Sequence, residues 1–187
     1  MPLNPSEPHS IVSQNDFDNW IVLNDTIMGG SSQGQCFSSA EGLLFKGELI
    51  EEGGGFVSCK SPIFTPSRDL SKFCGFQIKV SGQGRTLKFA VGCDYEEFPS
   101  QWLIPKGIKW VSQLPTNKIG VTTINIPFDL LELSLRAKPI YLPLPFNSSS
   151  INQFQLLHSK FGRPGELNDG FQSGKFDILL HSINVYS

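Results

Sequence analysis

The chain has 187 residues, of which 15 are Lys or Arg and 17 are Asp or Glu, so its formal net charge is −2. Charges of both signs are mixed along the chain with no basic stripe, which excludes the electrostatic footprint of a nucleic-acid-binding protein. A chain of this length can bury a core of its own, and we predict a single all-β domain over residues 1–187.

The N-terminal residues 1–20 lack a basic start followed by an apolar run, and they contain Asp and Glu. They therefore predict neither a secretion signal nor a mitochondrial transit peptide. No apolar stretch reaches the length that a membrane span needs. We expect a cytoplasmic protein, or one from an organelle matrix or stroma if a targeting segment has been removed, that can work at the periphery of a membrane. Residues 1–15 are expected to form an extended tail.

Alternation of apolar and polar residues with period two predicts strands along most of the chain. The runs are Leu43–Ile50, Phe76–Val80, Leu87–Val91, Ile124–Ile126 and Phe176–Leu180. Pro127 ends its strand or marks it as an edge. The apolar phase shifts between Leu180 and Ile183, which predicts a β-bulge at His181–Ser182. The run Asp129–Ala137 mixes helical and strand spacing and predicts either one short helix or an irregular connection.

Turn clusters rich in Gly, Ser and Asn separate these runs, and the chain contains 18 Gly, 13 Pro and 15 Phe residues. Short strands between such clusters are typical of a β-sandwich or a barrel. We therefore predict packed antiparallel strands with at most one or two short helices.

The cysteines and histidines are scattered. Neither residue type forms the close pairs that zinc sites and redox dithiols use, so we predict no metal site and interpret the cysteines as small buried hydrophobes. These residues are Cys36, Cys59, Cys74, Cys93, His9, His158 and His181.

No catalytic set emerges from the sequence. Residues 30–34 match the nucleophile pattern G-x-S-x-G, but that motif needs a helix after it, and the residues that follow are poor helix formers. The pairs Glu51–Glu52 and Glu96–Glu97 place adjacent carboxylates on opposite faces of a strand. We predict that the protein is not an enzyme, and an enzyme using Ser32 or a bound metal is a minor alternative.

Two dense motifs carry glycines at special spacing. Paired glycines permit positive φ and close backbone approach, and the Asn24 and Asp25 side chains can hold such a turn. We interpret the motifs as a structural corner between two sheets, with a ligand-facing surface as the alternative. Their residues are Trp20, Asn24, Asp25, Met28, Gly29, Gly30, Ser32, Gly53, Gly54, Gly55, Phe56 and Ser58.

Aromatic residues concentrate in Tyr95–Trp110 and in Lys138–Phe146. Aromatic side chains on an exposed loop are typical anchors for protein partners and sugars, so we predict a binding surface here. The alternative is that they cover the edge of the core. The candidates are Tyr95, Phe98, Trp102, Trp110, Tyr141 and Phe146.

The two glycine motifs resemble the signature of the complex I intermediate-associated protein 30 family. The likeness continues through Asp69–Gly75, Gly82–Arg85, Ile124–Phe128 and Gly174–Ile178, with Ile183. Lys60 stands where the family pattern has Arg, Leu131 stands where it has Phe, and residues 93–118 match poorly.

The resemblance implies a jelly-roll β-sandwich of the galactose-binding type, with two packed antiparallel sheets, related to some carbohydrate-binding modules. It also implies a non-catalytic assembly factor for a membrane electron-transfer complex, either NADH dehydrogenase-like or photosynthetic. Protein subunits or assembly intermediates would be its partners, with carbohydrate binding as the alternative. No cofactor is implied, although a structural Ca²⁺, common in such modules, could be held by Asp16, Asp18 and Asp177 if the chain ends are adjacent.

Overall fold

The computed structural model describes residues 7–13 and 16–187, and in this part of the chain thirteen β-strands alternate with turns and short 3₁₀ turns. Every pair of neighbouring strands is antiparallel. The predicted all-β fold is confirmed. Within the described residues, no helix has the length and apolar character needed to cross a membrane.

One sheet has six strands and is centred on the C-terminal strand. Its order is β3-β4-β13-β6-β9, and β1 also pairs with β13. These strands are β1 (His9–Val12), β3 (Gln33–Ser39), β4 (Gly42–Leu49), β6 (Gly75–Ser81), β9 (Thr122–Pro127) and β13 (Gly174–Tyr186). The register between β13 and β6 shifts between Leu180 and Ser182, which confirms the predicted bulge. β9 lies at the edge and ends at Pro127, as predicted.

The second sheet has seven strands, with β7 and β12 near its centre. Its order is β11-β10-β8-β7-β12-β5-β2. These strands are β2 (Ile21–Asn24), β5 (Phe56–Lys60), β7 (Thr86–Cys93), β8 (Ile108–Pro115), β10 (Glu132–Leu135), β11 (Lys138–Pro139) and β12 (Ile151–Ser159).

The two sheets meet in a core rich in phenylalanine. Phe76 of β6 packs edge-on against Phe89 of β7 and Phe154 of β12, with ring centroids 5.3 and 5.6 Å apart. Edge-to-face contacts of this kind add to the free energy of burying the rings. The high phenylalanine content therefore serves mainly to join the two sheets.

Two expectations about local structure are wrong. His9–Val12 is not part of a tail, because it forms β1 against β13 and buries Val12; residues 1–6 and 14–15 lie outside the described residues. The run Asp129–Ala137 contains no α-helix. A 3₁₀ turn at Phe128–Leu130 leads into β10, which pairs with β8.

The four cysteines are free and differ in exposure. Cys59 is buried as predicted, and Cys36 and Cys93 pack against the core from partly buried positions. Cys74 is exposed, so the prediction is wrong there. Cys36 and Cys59 are distant in sequence, yet their thiols are hydrogen-bonding neighbours between the two sheets.

His158 lies fully buried on β12, with its ring 5.1 Å from that of Phe176 and 6.0 Å from that of Phe171. Burial disfavours the imidazolium form and the nearby Arg85 charge repels it, which lowers the pKa of His158 to about 4. The ring is therefore a neutral core group.

We expect the free energy of unfolding to fall as pH is lowered from about 6.5 to about 4. In this window the unfolded chain binds a proton at His158 that the native chain does not bind, at a cost on the order of 3 kcal/mol by pH 4. Urea denaturation at pH 7, 5.5 and 4 measures the loss. His158→Leu should remove most of this dependence, and an unchanged pH profile in that variant would contradict the assignment.

Candidate functional site

The two glycine motifs meet around the fully buried carboxylate of Asp25. The Ser32 backbone N–H donates to Asp25 Oδ1 at 2.9 Å. The Ser32 hydroxyl and the Gly55 N–H reach Asp25 Oδ2 at 2.7 and 2.8 Å. Asp25 thus joins the turn after β2 to the start of β3 and to the turn before β5.

The Asp25 carboxyl is held in its ionised form. Burial alone would raise its pKa, but the hydrogen bonds from Gly55, Ser32 and Phe56 together lower the pKa below its ordinary value. A buried carboxylate is tolerated only where donors surround it in this way. The group is therefore already fully occupied by the protein's own donors.

Two glycines of the motifs are required by Asp25. A Cβ on Gly30 would lie 2.3 Å from Asp25 Cγ, and a Cβ on Gly54 would lie 2.3 Å from Asp25 Oδ2. Positive φ, which paired glycines permit, occurs at Gly29, Gly53 and Gly55. Gly30 and Gly54 do not adopt it, and the constraint there is space for the carboxylate and not backbone strain.

The remaining motif residues are mostly structural. Trp20 is buried with its ring 5.4 Å from that of Phe17. Ser32 is buried and bonded to Asp25, so its hydroxyl is not available to a substrate. Asn24 ends β2, Phe56 begins β5, and Met28 is exposed. This arrangement favours the structural-corner interpretation of the motifs.

Gly54→Ala should cost about 2 kcal/mol of stability, because the added methyl group overlaps the Asp25 carboxylate. In an Asp25→Ala background the same change should cost much less, which gives a coupling energy of at least about 1 kcal/mol. Urea denaturation of the four variants measures the cycle. Gly107→Ala, at positive φ with open space around it, serves as the control and should show no coupling to Asp25. Additive costs for Gly54 and Asp25 would contradict the overlap.

Two of the aromatic candidates lie inside the protein. Trp110 is buried on β8, and its Nε1–H donates to the Tyr95 hydroxyl at 2.7 Å. The buried Tyr95 hydroxyl donates in turn to the Pro145 carbonyl at 2.9 Å. The partly buried Phe146 packs against Trp110. The expected exposure is therefore wrong for Tyr95 and Trp110, since β8 begins at Ile108 and its alternation turns Trp110 inward.

The other aromatic candidates divide between two loops. Trp102 is 79% exposed in the 3₁₀ turn Gln101–Leu103, and Tyr141 is 91% exposed after β11. Phe98 is partly buried, with its ring 5.1 Å from that of Tyr95. The structure therefore does not bring the six residues into one exposed surface, and a binding role for Trp102 and Tyr141 stays a prediction.

Trp110→Ala should cost about 3–5 kcal/mol of stability, because it empties a packed position at the core edge and leaves the Tyr95 hydroxyl without its donor. Trp102→Ala should stay within about 0.5 kcal/mol of the parent. Thermal and urea melts of the two variants measure the difference. Equal losses would show that Trp102 packs against the fold in solution.

Sequence reasoning missed a different surface, the outer face of the seven-stranded sheet. On its central strands the residues that point away from the core are largely polar or small, yet several of them are buried. The surface, called the outer face below, consists of Lys88, Ala90, Gly92, Lys109, Val111, Gln113, Gln153, Gln155 and Leu157. Lys60 of β5 and Glu132 of β10 continue it on either side.

Loops border the outer face and enclose two cavities on it. One, of about 160 Å³, is lined by Lys88, Gln113, Glu132 and residues 162–164. The other, of about 290 Å³, lies towards the opposite end of β7 and is lined by Gly92, Lys109 and residues of the 93–108 connection. The poorly matching stretch 93–118 therefore contributes to this face.

Most polar groups of the outer face are hydrogen-bonded. Lys109 Nζ donates to Gln153 Oε1 at 2.7 Å, and Gln155 Nε2 donates to the hydroxyl of Ser58, a motif residue, at 2.9 Å. Burial together with the Lys60 charge lowers the pKa of Lys109. Burial also lowers the pKa of Lys88 to about 8. The face is thus a preorganised polar surface with both cationic and acidic groups towards each end.

A metal site is not formed by the residues proposed for it. Among residues 7–13 and 16–187 no group of three or more His, Cys, Asp or Glu side chains could hold a metal ion. Asp16, Asp18 and Asp177 are each exposed and are not gathered into one site.

Residues 9–180 match the family described as Complex I intermediate-associated protein 30 (CIA30). The chain belongs to this family. The match covers both sheets and the motifs around Asp25, and it confirms the resemblance found in the sequence. No curated protein matches the chain in sequence.

Solved structures with the same fold include carbohydrate-binding modules. The family 11 module of the cellulosomal cellulase Lic26A-Cel5E of Clostridium thermocellum is 15% identical, with a TM-score of 0.59, and the match covers 96% of this chain and 95% of that one. The family 11 module from Clostridium thermocellum in complex with a β-1,3-1,4-mixed-linked tetrasaccharide is 16% identical, with a TM-score of 0.59 and 95% of each chain covered. At this identity the likeness shows the fold alone, which is the expected jelly-roll sandwich.

Proposed function

We propose that this CIA30-family protein is a non-catalytic binding module that acts as an assembly or biogenesis factor for a membrane electron-transfer complex, NADH dehydrogenase-like or photosynthetic. The observation that carries the proposal is the match of residues 9–180 to a family named for complex I intermediates. Its partners are subunits or assembly intermediates of that complex. The protein binds them in the cytoplasm, or in an organelle matrix or stroma.

The outer face is the surface best suited to bind such a partner. The small residues Ala90 and Gly92 lie at its base. Around them, amide and ammonium groups are held in place by hydrogen bonds. Side chains fixed before binding lose little conformational entropy when a partner docks. A polar segment of a subunit can therefore bind here without reorganising the sheet.

The geometry offers no comparable support for catalysis. The serine of the G-x-S-x-G pattern is buried against Asp25, and Glu132, which pairs with Val111 beside the outer face, is 2.8 Å from Arg163 Nε. These contacts support a binding role for the outer face over a catalytic one.

Carbohydrate binding is the second candidate, favoured by the exposed Trp102 and Tyr141 side chains. One of the solved relatives carries a bound tetrasaccharide. Pyranose rings are commonly bound on aromatic platforms, whereas β7, β8 and β12 contribute no aromatic side chain to the outer face of this chain. The outer face therefore suits a polypeptide better than a sugar.

Gln155→Trp should block the outer face at its centre, because the indole projects over Ala90 from the neighbouring strand. Gln77→Trp is the matched control, since Gln77 also lies on a central strand but on the six-stranded sheet. Tagged wild type and the control should co-purify electron-transfer subunits from the source organism, and Gln155→Trp should retain at least about tenfold less, equivalent to about 1.4 kcal/mol.

Quantitative mass spectrometry of the captured subunits measures this difference. Capture of no electron-transfer subunit by wild type would overturn the proposal. Equal capture by both variants would show that the partner binds to a surface other than the outer face. A glycan array tests the second candidate, and saturable binding to a glucan, galactan or mannan that Trp102→Ala abolishes would establish carbohydrate binding instead.

A further inference from the structure

Lys88 is a largely buried lysine whose ammonium group opens into a cavity on the outer face. Its side chain projects from β7 onto the outer face, and the residue is only 6% exposed. Within the described part of the chain, its ammonium group makes no hydrogen bond or ion pair. Burying an unpaired charge is costly, and buried charges in proteins are normally paired.

The acidic group beside Lys88 is already engaged. Glu132 lines the same cavity of about 160 Å³, but its carboxylate accepts a 2.8 Å hydrogen bond from Arg163 Nε. Arg163 also lies 3.9 Å from Glu166. Glu132 and Glu166 therefore both pair with Arg163, and neither forms an ion pair with Lys88.

We infer that the Lys88 cavity binds the side-chain carboxylate of an acidic residue in a polypeptide partner. This inference rests on the proposed function and names the chemistry that the outer face recognises. A carboxylate in the cavity would accept charge-assisted hydrogen bonds from Lys88, which are about twice as strong as neutral ones. The Gln113 amide, which also lines the cavity, can donate to the second oxygen.

The rest of the outer face is long enough to hold an extended segment of polypeptide. Lys88 and Gly92 are four residues apart on β7, so the two cavities are separated by roughly 13 Å along the strand. Lys109 lies over Gly92, since its Nζ is 3.0 Å from the position of a Cβ there. Lys109 is already bonded to Gln153, so Lys88 is the specific site and Lys109 supplies attraction at longer range.

A neutral sugar is a poorer occupant for the same cavity. Hydroxyl groups would not neutralise the buried ammonium group, and the floor of the face offers no ring for stacking. An acidic polysaccharide would supply the charge but not an extended backbone whose N–H groups can donate to the amide oxygen of Gln155, which accepts no hydrogen bond from the described residues. The acidic polypeptide satisfies both requirements.

The test uses the full chain and a short fluorescein-labelled poly-L-glutamate, with fluorescence anisotropy at low salt as the readout. Lys88→Met keeps the length and packing of the side chain and removes its charge. Lys46→Met is the matched control, because Lys46 is an exposed strand lysine on the opposite sheet. We expect Lys88→Met to weaken binding at least about tenfold and Lys46→Met to change it less than about twofold.

Two further measurements keep the result interpretable. The melting temperature of Lys88→Met should equal or exceed that of wild type, because the change removes an unpaired and largely desolvated charge. Glu132→Gln should strengthen poly-L-glutamate binding, since it removes a like charge from the cavity and frees Arg163. Equal binding by the Lys88 and Lys46 variants, or weaker binding by Glu132→Gln, would overturn the inference.

The same anisotropy measurement with polygalacturonate distinguishes an acidic polysaccharide ligand from an acidic peptide ligand. Tighter, Lys88-dependent binding of polygalacturonate than of poly-L-glutamate would show that the cavity serves the polysaccharide, and would overturn the peptide inference. The proposed function fails differently, by the absence of electron-transfer subunits from the wild-type capture. Its failure would leave the anisotropy result for Lys88 unchanged.

Discussion

The carboxylate of Asp25 is the constraint on which one whole corner of the sandwich depends. It receives donors from the segment entering β3 and from the turn entering β5, while Ser32 also accepts the Ile50 N–H at the end of β4. β3 and β4 belong to one sheet, whereas β2 and β5 belong to the other. One buried charge therefore fixes the two sheets relative to each other, and glycines are needed where the backbone passes beside it.

The same corner also reaches the outer face. β5 leaves the Asp25 site at Phe56, and two residues later Ser58 accepts a hydrogen bond from Gln155 at the centre of that face. The Ser58 hydroxyl lies 3.2 Å from the Leu23 carbonyl of β2. The glycine motifs around Asp25 have a structural role, and through Ser58 they also position the polar side chain of Gln155 on the outer face, the proposed binding surface.

Local patterns in the sequence were enough to predict five of the strands (β4, β6, β7, β9 and β13), the edge at Pro127 and the bulge beside His181, because period-two alternation and proline chemistry act locally. The aromatic cluster was harder. Whether Trp110 faces inward depends on where β8 begins, and the hydrogen bond to Tyr95 depends on the packing of a distant loop. The sequence gives almost no indication of the outer face. Lysines and glutamines that alternate with apolar residues are typical of an ordinary solvated sheet surface, and only the fold shows that loops cover them.

Burial of polar groups is a stronger indication of function in this fold than exposure of aromatic ones. An exposed tryptophan such as Trp102 costs the protein little and is common on protein surfaces. A largely buried lysine whose ammonium group has no counter-ion is different, because the fold gains nothing from the charge and an apolar side chain of the same length would pack as well. The Asp25 site shows that this chain can surround a buried charge with donors where the fold requires the charge. The missing partner at Lys88 therefore belongs to the ligand, and the cavity beside it is where that partner binds.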